Sequence, residues 1–173
     1  MMIEYTINPK EGFSNKIGEL VFMLEHVRAV TLNEIAQLKE NELDFLPDTS
    51  SNSIGALLMH IAAIESVHQV ISFENRDFNE KEMQEWGQAL ELGERARESI
   101  KGNSLAFYQE KLTTTRERTI SLLKSKSDSW LYEENKWGNG VSYNHYYLWF
   151  HVMEDEINHR GQIRRILRLL ENI

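Results

Sequence analysis

Residues 142–170 read SYNHYYLWFHVMEDEINHRGQIRRILRLL, and the spacing of apolar residues in this stretch decides the fold. Leu148, Val152, Asp155, His159, Ile163, Ile166 and Leu170 recur at helical intervals and share one face. A second stretch, SNSIGALLMHIAAIESVHQVI over residues 51–71, carries a matching stripe of Leu57, His60, Ile64, Val67 and Ile71. Each stripe is apolar except near its middle. There the later helix offers Asp155 and His159, four residues apart and so stacked one turn from each other. The earlier helix offers His60. An ionised carboxylate in a core is costly unless it is paired or binds a metal. If the two helices pack face to face, His60, Asp155 and His159 converge. Two imidazoles and one carboxylate form a ligand set used by catalytic zinc and by non-haem iron sites that keep positions open.

Outward from these two segments the chain reads as further helices. It has only two prolines, one before and one after a first helix over residues 14–41. Ile17, Leu20, Leu24, Val27, Thr31, Ile35 and Leu38 give that helix its inner face. LDFLPDTSSNS is a turn-rich connection, and Ser53 is placed to cap the second helix. Residues 74–103 are highly charged, contain Gly87, Gly93 and Gly102, and read as a surface crossover with one or two short helical turns. A third helix over residues 104–126 turns Leu105, Tyr108, Leu112, Thr115, Leu122 and Leu123 inward. SDSWLYEENKWGNGVS is a long loop whose Asn139-Gly140 marks a hairpin turn, and the fourth helix opens at Val141 or Ser142. The expectation is an all-α fold, a four-helix bundle with a long crossover between helices 2 and 3, formed as one domain by all 173 residues. Gly161 lies inside the fourth helix, where glycine costs roughly 1 kcal/mol relative to alanine. A close approach by another backbone or a ligand would account for it.

Composition narrows the chemistry. The chain has no cysteine, which excludes disulfides, thiolate zinc sites and a cysteine nucleophile, so any metal is held by nitrogen and oxygen. A net charge of −8 argues against non-specific nucleic-acid binding and gives no support to an anionic membrane surface. The opening MMIEYTINPKEGFSNK does not read as a secretory signal, and no stretch is expected to reach the ~18 apolar residues of a membrane span. A cytoplasmic protein fits these features. The HExxH, GxxxxGK[ST] and GxSxG motifs are absent.

Plainer readings stand beside the site. His60 alone reads as a hydrogen-bonded core histidine, and Asp155 as a partner of Arg160 or Arg164. His151, four residues before Asp155, is the main rival ligand and otherwise the candidate catalytic base or proton shuttle. Glu154 and Glu156 fall off the stripe and read as solvated. His68 is placed near a rim, and His26 and His145 on the surface or in loops. Trp130, Trp137, Tyr143, Tyr146, Tyr147, Trp149 and Phe150 read as core and loop packing, with a hydrophobic substrate wall as the alternative.

SIGALLMHIAAIE in the second helix and DEINHRGQIRRIL in the fourth resemble the DinB/YfiT-like superfamily of four-helix bundle proteins, and EHVRAVTLNEIAQLKENELDFLP extends the resemblance over most of the chain. The resemblance implies a metal-dependent enzyme with a nickel or zinc site. It also implies a small-molecule partner, with low-molecular-weight thiols such as bacillithiol or mycothiol used by some members. The ligand positions carry over to His60, His159 and, one turn before the latter, Asp155, where the family often has histidine and in some branches glutamate. The expected cofactor is thus a divalent nickel, zinc or iron ion, activating a thiol for S-transfer or water for hydrolysis. The rival expectation is a non-catalytic metal-binding or stress-response bundle. Bundles also allow a homodimer through an exposed helix face.

Overall fold

The structure, a computed structural model, describes residues 3–171. The helices among them are α1 (Asn15–Ile35), α2 (Glu40–Leu43), α3 (Ile54–Gln69), α4 (Glu80–Glu91), α5 (Gly93–Ser99), α6 (Leu105–Leu123) and α7 (His145–Leu170). A π-turn, Val70–Glu74, prolongs α3, and a 3-10 turn, Asp128–Tyr132, leads into a hairpin of β1 (Glu134–Lys136) and β2 (Ser142–Asn144). The fold is mostly helical, as expected.

α3 is the central rod. It is buried on nearly every side because α6, α7 and α4 all pack on it, while α1 lies along α7. Ser53 caps it as its sequence predicts, accepting a bond from Ala56 N at 3.1 Å. α3 meets α6 closely at Gly55, where a Cβ would stand 2.4 Å from the Tyr108 hydroxyl. Two apolar cores form on this frame. Leu57, Leu58, Ile61, Trp86, Tyr108, Leu112, Ile163 and Ile166 belong to one. Ile17, Leu20, Leu24, Leu123, Trp130, Trp149 and Val152 belong to the other.

Several boundaries differ from the sequence reading. α1 stops at Ile35, and residues near Leu38 begin the separate turn α2. The crossover after α3 is more than surface turns: α4 is capped by an Asn79–Glu82 capping box and buries Trp86 and Ala89. The Asn139-Gly140 turn does close a hairpin, with Gly140 at φ 83° and Asn135 opposite Tyr143. β2 uses residues 142–144, so α7 starts at His145 with Asn144 as its cap. Nothing lies within 4 Å of a Cβ built on Gly161, so no close approach explains that glycine. The 21-residue run Ile54–Glu74 is long and apolar enough to cross a membrane, contrary to expectation, because His60, Glu65 and His68 interrupt a run whose average remains apolar. Of its most apolar window 83% is buried inside the protein, the position of a core helix.

A candidate metal centre beside a buried charge quartet

Face-to-face packing of α3 and α7 brings the three predicted ligands together. Asp155 Oδ1 lies 3.5 Å from Nε2 of His60 and 3.3 Å from Nε2 of His159. The two imidazoles meet edge to face with ring centroids 4.5 Å apart. One donor atom from each residue lies within 4.8 Å of the others. Ligands about 2.0–2.1 Å from a tetrahedral cation stand roughly 3.3 Å from one another. The two spacings about Asp155 therefore suit ligands of one ion, and they are long for hydrogen bonds.

The surroundings fit the same chemistry. His60 Nδ1 lies 2.8 Å from the Ala89 carbonyl, so that nitrogen carries the proton and Nε2 presents a lone pair toward Asp155. Gln162 Nε2 lies 3.1 Å from Nδ1 of His159; for Nε2 of that ring to ligate, Nδ1 must carry the proton and the carboxamide must turn its oxygen to it. Asp155 Oδ2 is buried and has no hydrogen-bond partner among the described residues. Burial works against the Asp155 charge, but His159 and His60 outweigh it and hold the carboxyl well below the usual carboxylate range. A divalent cation would satisfy the orphaned oxygen and take over from the imidazoles the neutralising of the Asp155 charge. The alternative partners are engaged elsewhere. Arg160 donates to the Val27 carbonyl, and Arg164 pairs with Glu34.

One residue along α7 stands the largest surprise. Glu156, read from sequence as solvated, is 1% exposed. It joins Arg28 of α1, Glu65 of α3 and Arg116 of α6 in a buried quartet with one charge from each long helix. Arg28 bonds Glu156 at 3.0 Å and Glu65 at 2.9 Å, and Arg116 bonds Glu65 at 2.6 Å. Thr119 adds a bond to Glu65 at 2.6 Å. The arginines also clasp the facing helices reciprocally: Arg28 donates to the carbonyl of Leu112, and Arg116 to that of Leu24. Glu156 lies off the apolar stripe that revealed the triad, and its role shows only in its pairing with arginines of two other helices.

The remaining histidines divide. His151 is half-buried on α7, 3.2 Å from Glu154, with its ring 5.4 Å from that of His68. His68 is not at a rim. It is 6% exposed and its Nδ1 donates to the Ile64 carbonyl. Its burial lowers its pKa to about 4, so it is neutral near pH 7. His145 is also buried, against expectation, stacked on Trp130 at 4.2 Å and bonded to its carbonyl. His26 faces the N-terminal arm, bonded to the Glu4 carbonyl at 2.9 Å. Among the aromatics Trp130 and Trp149 are core residues, whereas Tyr147 and Phe150 are about half exposed.

The fold agrees with comparison to known proteins. Residues 19–170 match the profile of the mycothiol-S-transferase family, and the chain belongs to that family, which is DinB/YfiT-like. No curated protein matches the sequence. A conserved protein from Enterococcus faecalis superposes with a TM-score of 0.67 at 18% identity, covering 89% of this chain and 96% of its own. A Streptococcus pneumoniae protein gives a TM-score of 0.67 at 17% identity, covering 96% of this chain and 94% of its own. At these identities the two structures speak for the fold alone.

Proposed function

We propose that the protein is a metal-dependent S-transferase that uses a low-molecular-weight thiol, with His60, Asp155 and His159 holding a divalent nickel, zinc or iron ion. The observation that carries this reading is the 3.3 and 3.5 Å spacing of the two Nε2 atoms around Asp155 Oδ1. Family membership supports the thiol as co-substrate. When bound, the cation supplies Lewis acidity that lowers the pKa of a thiol beside it.

The protein's own groups do the rest. Asp155 cancels one positive charge and leaves the site cationic toward a sulfur anion. The Ala89 carbonyl fixes the His60 ring, and Gln162 steadies that of His159. With side chains only 9–13% exposed, the triad keeps most bulk water away. His151, one turn before Asp155, takes the thiol proton at Nε2 while Glu154 orients its ring through Nδ1. The freed sulfur lone pair then forms a bond to an electrophilic carbon, as the bond from that carbon to its leaving group breaks and the leaving group departs with the electron pair and takes the proton held by His151. In this reading α1, α3, α6 and α7 form the four-helix bundle of one domain, working in the cytoplasm without nucleic acid or membrane. Exposed Tyr147, Phe150 and Ile157 give α7 a face through which a homodimer would form, which mass in solution would reveal.

Elemental analysis tests the reading. Purified protein, native or supplemented with zinc or nickel, is expected to hold about one equivalent, and His60→Ala and Asp155→Ala to lose it. Absence of stoichiometric metal from both wild-type samples would overturn the proposal.

A further inference from the structure

His60 is oriented by a carbonyl that a continuing helix would not leave free. The hydrogen-bond ladder of α4 runs as far as the Leu92 N–H, which donates to the Gln88 carbonyl at 3.2 Å. The next rung would join the Gly93 N–H to the Ala89 carbonyl four residues back. Instead the Gly93 N–H donates to Asn52 Oδ1 at 3.0 Å, and the Ala89 carbonyl accepts from His60 Nδ1 at 2.8 Å. We propose that Asn52 is a positioning residue of the metal centre: by capturing the Gly93 N–H where α4 breaks into α5, it leaves the Ala89 carbonyl to His60 and keeps Nε2 of that ring as the ligand atom. The inference rests on the metal reading of the triad and adds to it what sets the state of one ligand.

The break itself is strained. Leu92 sits at φ 55°, ψ −154°, a region that glycine occupies freely and a leucine does not. Its side chain packs against the apolar core, and the next residue, at φ 73°, is a glycine. Released from Asn52, Leu92 would return toward helical angles and bring the Gly93 N–H onto the Ala89 carbonyl. A carbonyl oxygen has two lone pairs, but a closed rung holds the C=O along the helix axis and leaves a ring approaching from α3 the poorer direction. Asn52 is well placed to prevent this. It directly precedes Ser53, the cap of α3, and so reaches the break from the start of the helix that carries His60 two turns later. Ala89 is 2% exposed and His60 7%, so water is not at hand to replace a lost acceptor. A ligating histidine takes its tautomer and ring orientation from the acceptor at its other nitrogen, which makes the Gly93–Asn52 bond matter to a residue it does not touch.

Two readings test it on the full chain. Proton–nitrogen NMR of metal-free protein with isotope-labelled histidine reports the tautomer of His60, and titration with zinc reports affinity. Wild type is expected to show a single His60 species with its proton on Nδ1. Asn52→Ala is expected to show mixed tautomers at His60 and about tenfold weaker zinc binding, with the His68 and His145 signals unmoved as a check on the fold. Asn52→Asp keeps an acceptor for the Gly93 N–H and should restore both readings. Adding Leu92→Gly to Asn52→Ala removes the strain that drives the break to close, and should recover part of the affinity. A wild-type His60 protonated on Nε2, an unchanged tautomer in Asn52→Ala, or a loss that Asn52→Asp does not restore would overturn the assignment. A failure of the metal reading shows separately: wild type then takes up no zinc, while the His60 tautomer still answers to Asn52.

Discussion

Asp155 and Glu156 are neighbours in sequence, yet they serve two regions built on opposite rules. Glu156 enters a closed quartet of two arginines and two glutamates, in which each charge has an opposite charge and further donors. Asp155 enters an open trio in which one carboxylate faces two imidazoles and keeps an orphaned oxygen. Balanced burial makes a joint that holds four helices together. Unbalanced burial makes the place where a cation is proposed. The contrast shows that a buried charge is read by its company, not by its burial.

The largest effect should come from opening the quartet. Glu65→Ala leaves two arginines buried without half of their compensation and is expected to cost about 3–5 kcal/mol, read from urea unfolding. Asp155→Ala in metal-free protein should change stability by no more than about 1 kcal/mol, because the carboxylate it removes was never fully satisfied. A comparable loss in the two variants would erase the distinction between the two regions.

Acid should separate the regions next. The unfolded His68 titrates near 6.5, whereas the buried ring does so at about 4. Between these values the unfolded chain takes up a proton that the native state refuses, so stability falls with pH, by up to about 3 kcal/mol. Glu65 acts lower. Burial opposes its charge, but Arg116 and Arg28 outweigh burial and bring its carboxyl to about 2, from 4.5. Its contribution is intact above pH 4.5 and is lost as pH falls toward 2. Urea midpoints across pH 2–8 should show both steps, and His68→Leu should remove only the upper one.

Zinc should act on the trio alone. At one hundred times its Kd it is expected to stabilise wild type by about 2.7 kcal/mol, seen as a higher Tm, and to leave Asp155→Ala unmoved. The smallest change concerns α7 just past His159. Gly161→Ala adds a methyl into open space and should raise stability by about 0.5–1 kcal/mol, with metal content unchanged.

Much of this was legible in the sequence. The two stripes placed His60, Asp155 and His159 together because a helix with one apolar face exposes its polar interruptions. Ser53 and Asn139-Gly140 were readable from local chemistry. Glu156 was not, since a single-stripe reading assumes one buried face, and α7 packs on both α3 and α1. Arg28 fell between Leu24 and Thr31 on the inner side of α1, but a long cation there looks like a solvated one until its partners on three other helices are known. Such pairing is long-range, and local spacing does not encode it. The same holds for His145, buried by a tryptophan fifteen residues away.

The adjacency of the two acids fixes the rotational phase of α7 twice over. Consecutive residues point about 100° apart on a helix, so adding or dropping a single residue between Val152 and His159 would swing one acid out of the arginine clasp and the other away from its imidazoles. Substitutions in this stretch can be absorbed one side at a time; a change in its length cannot.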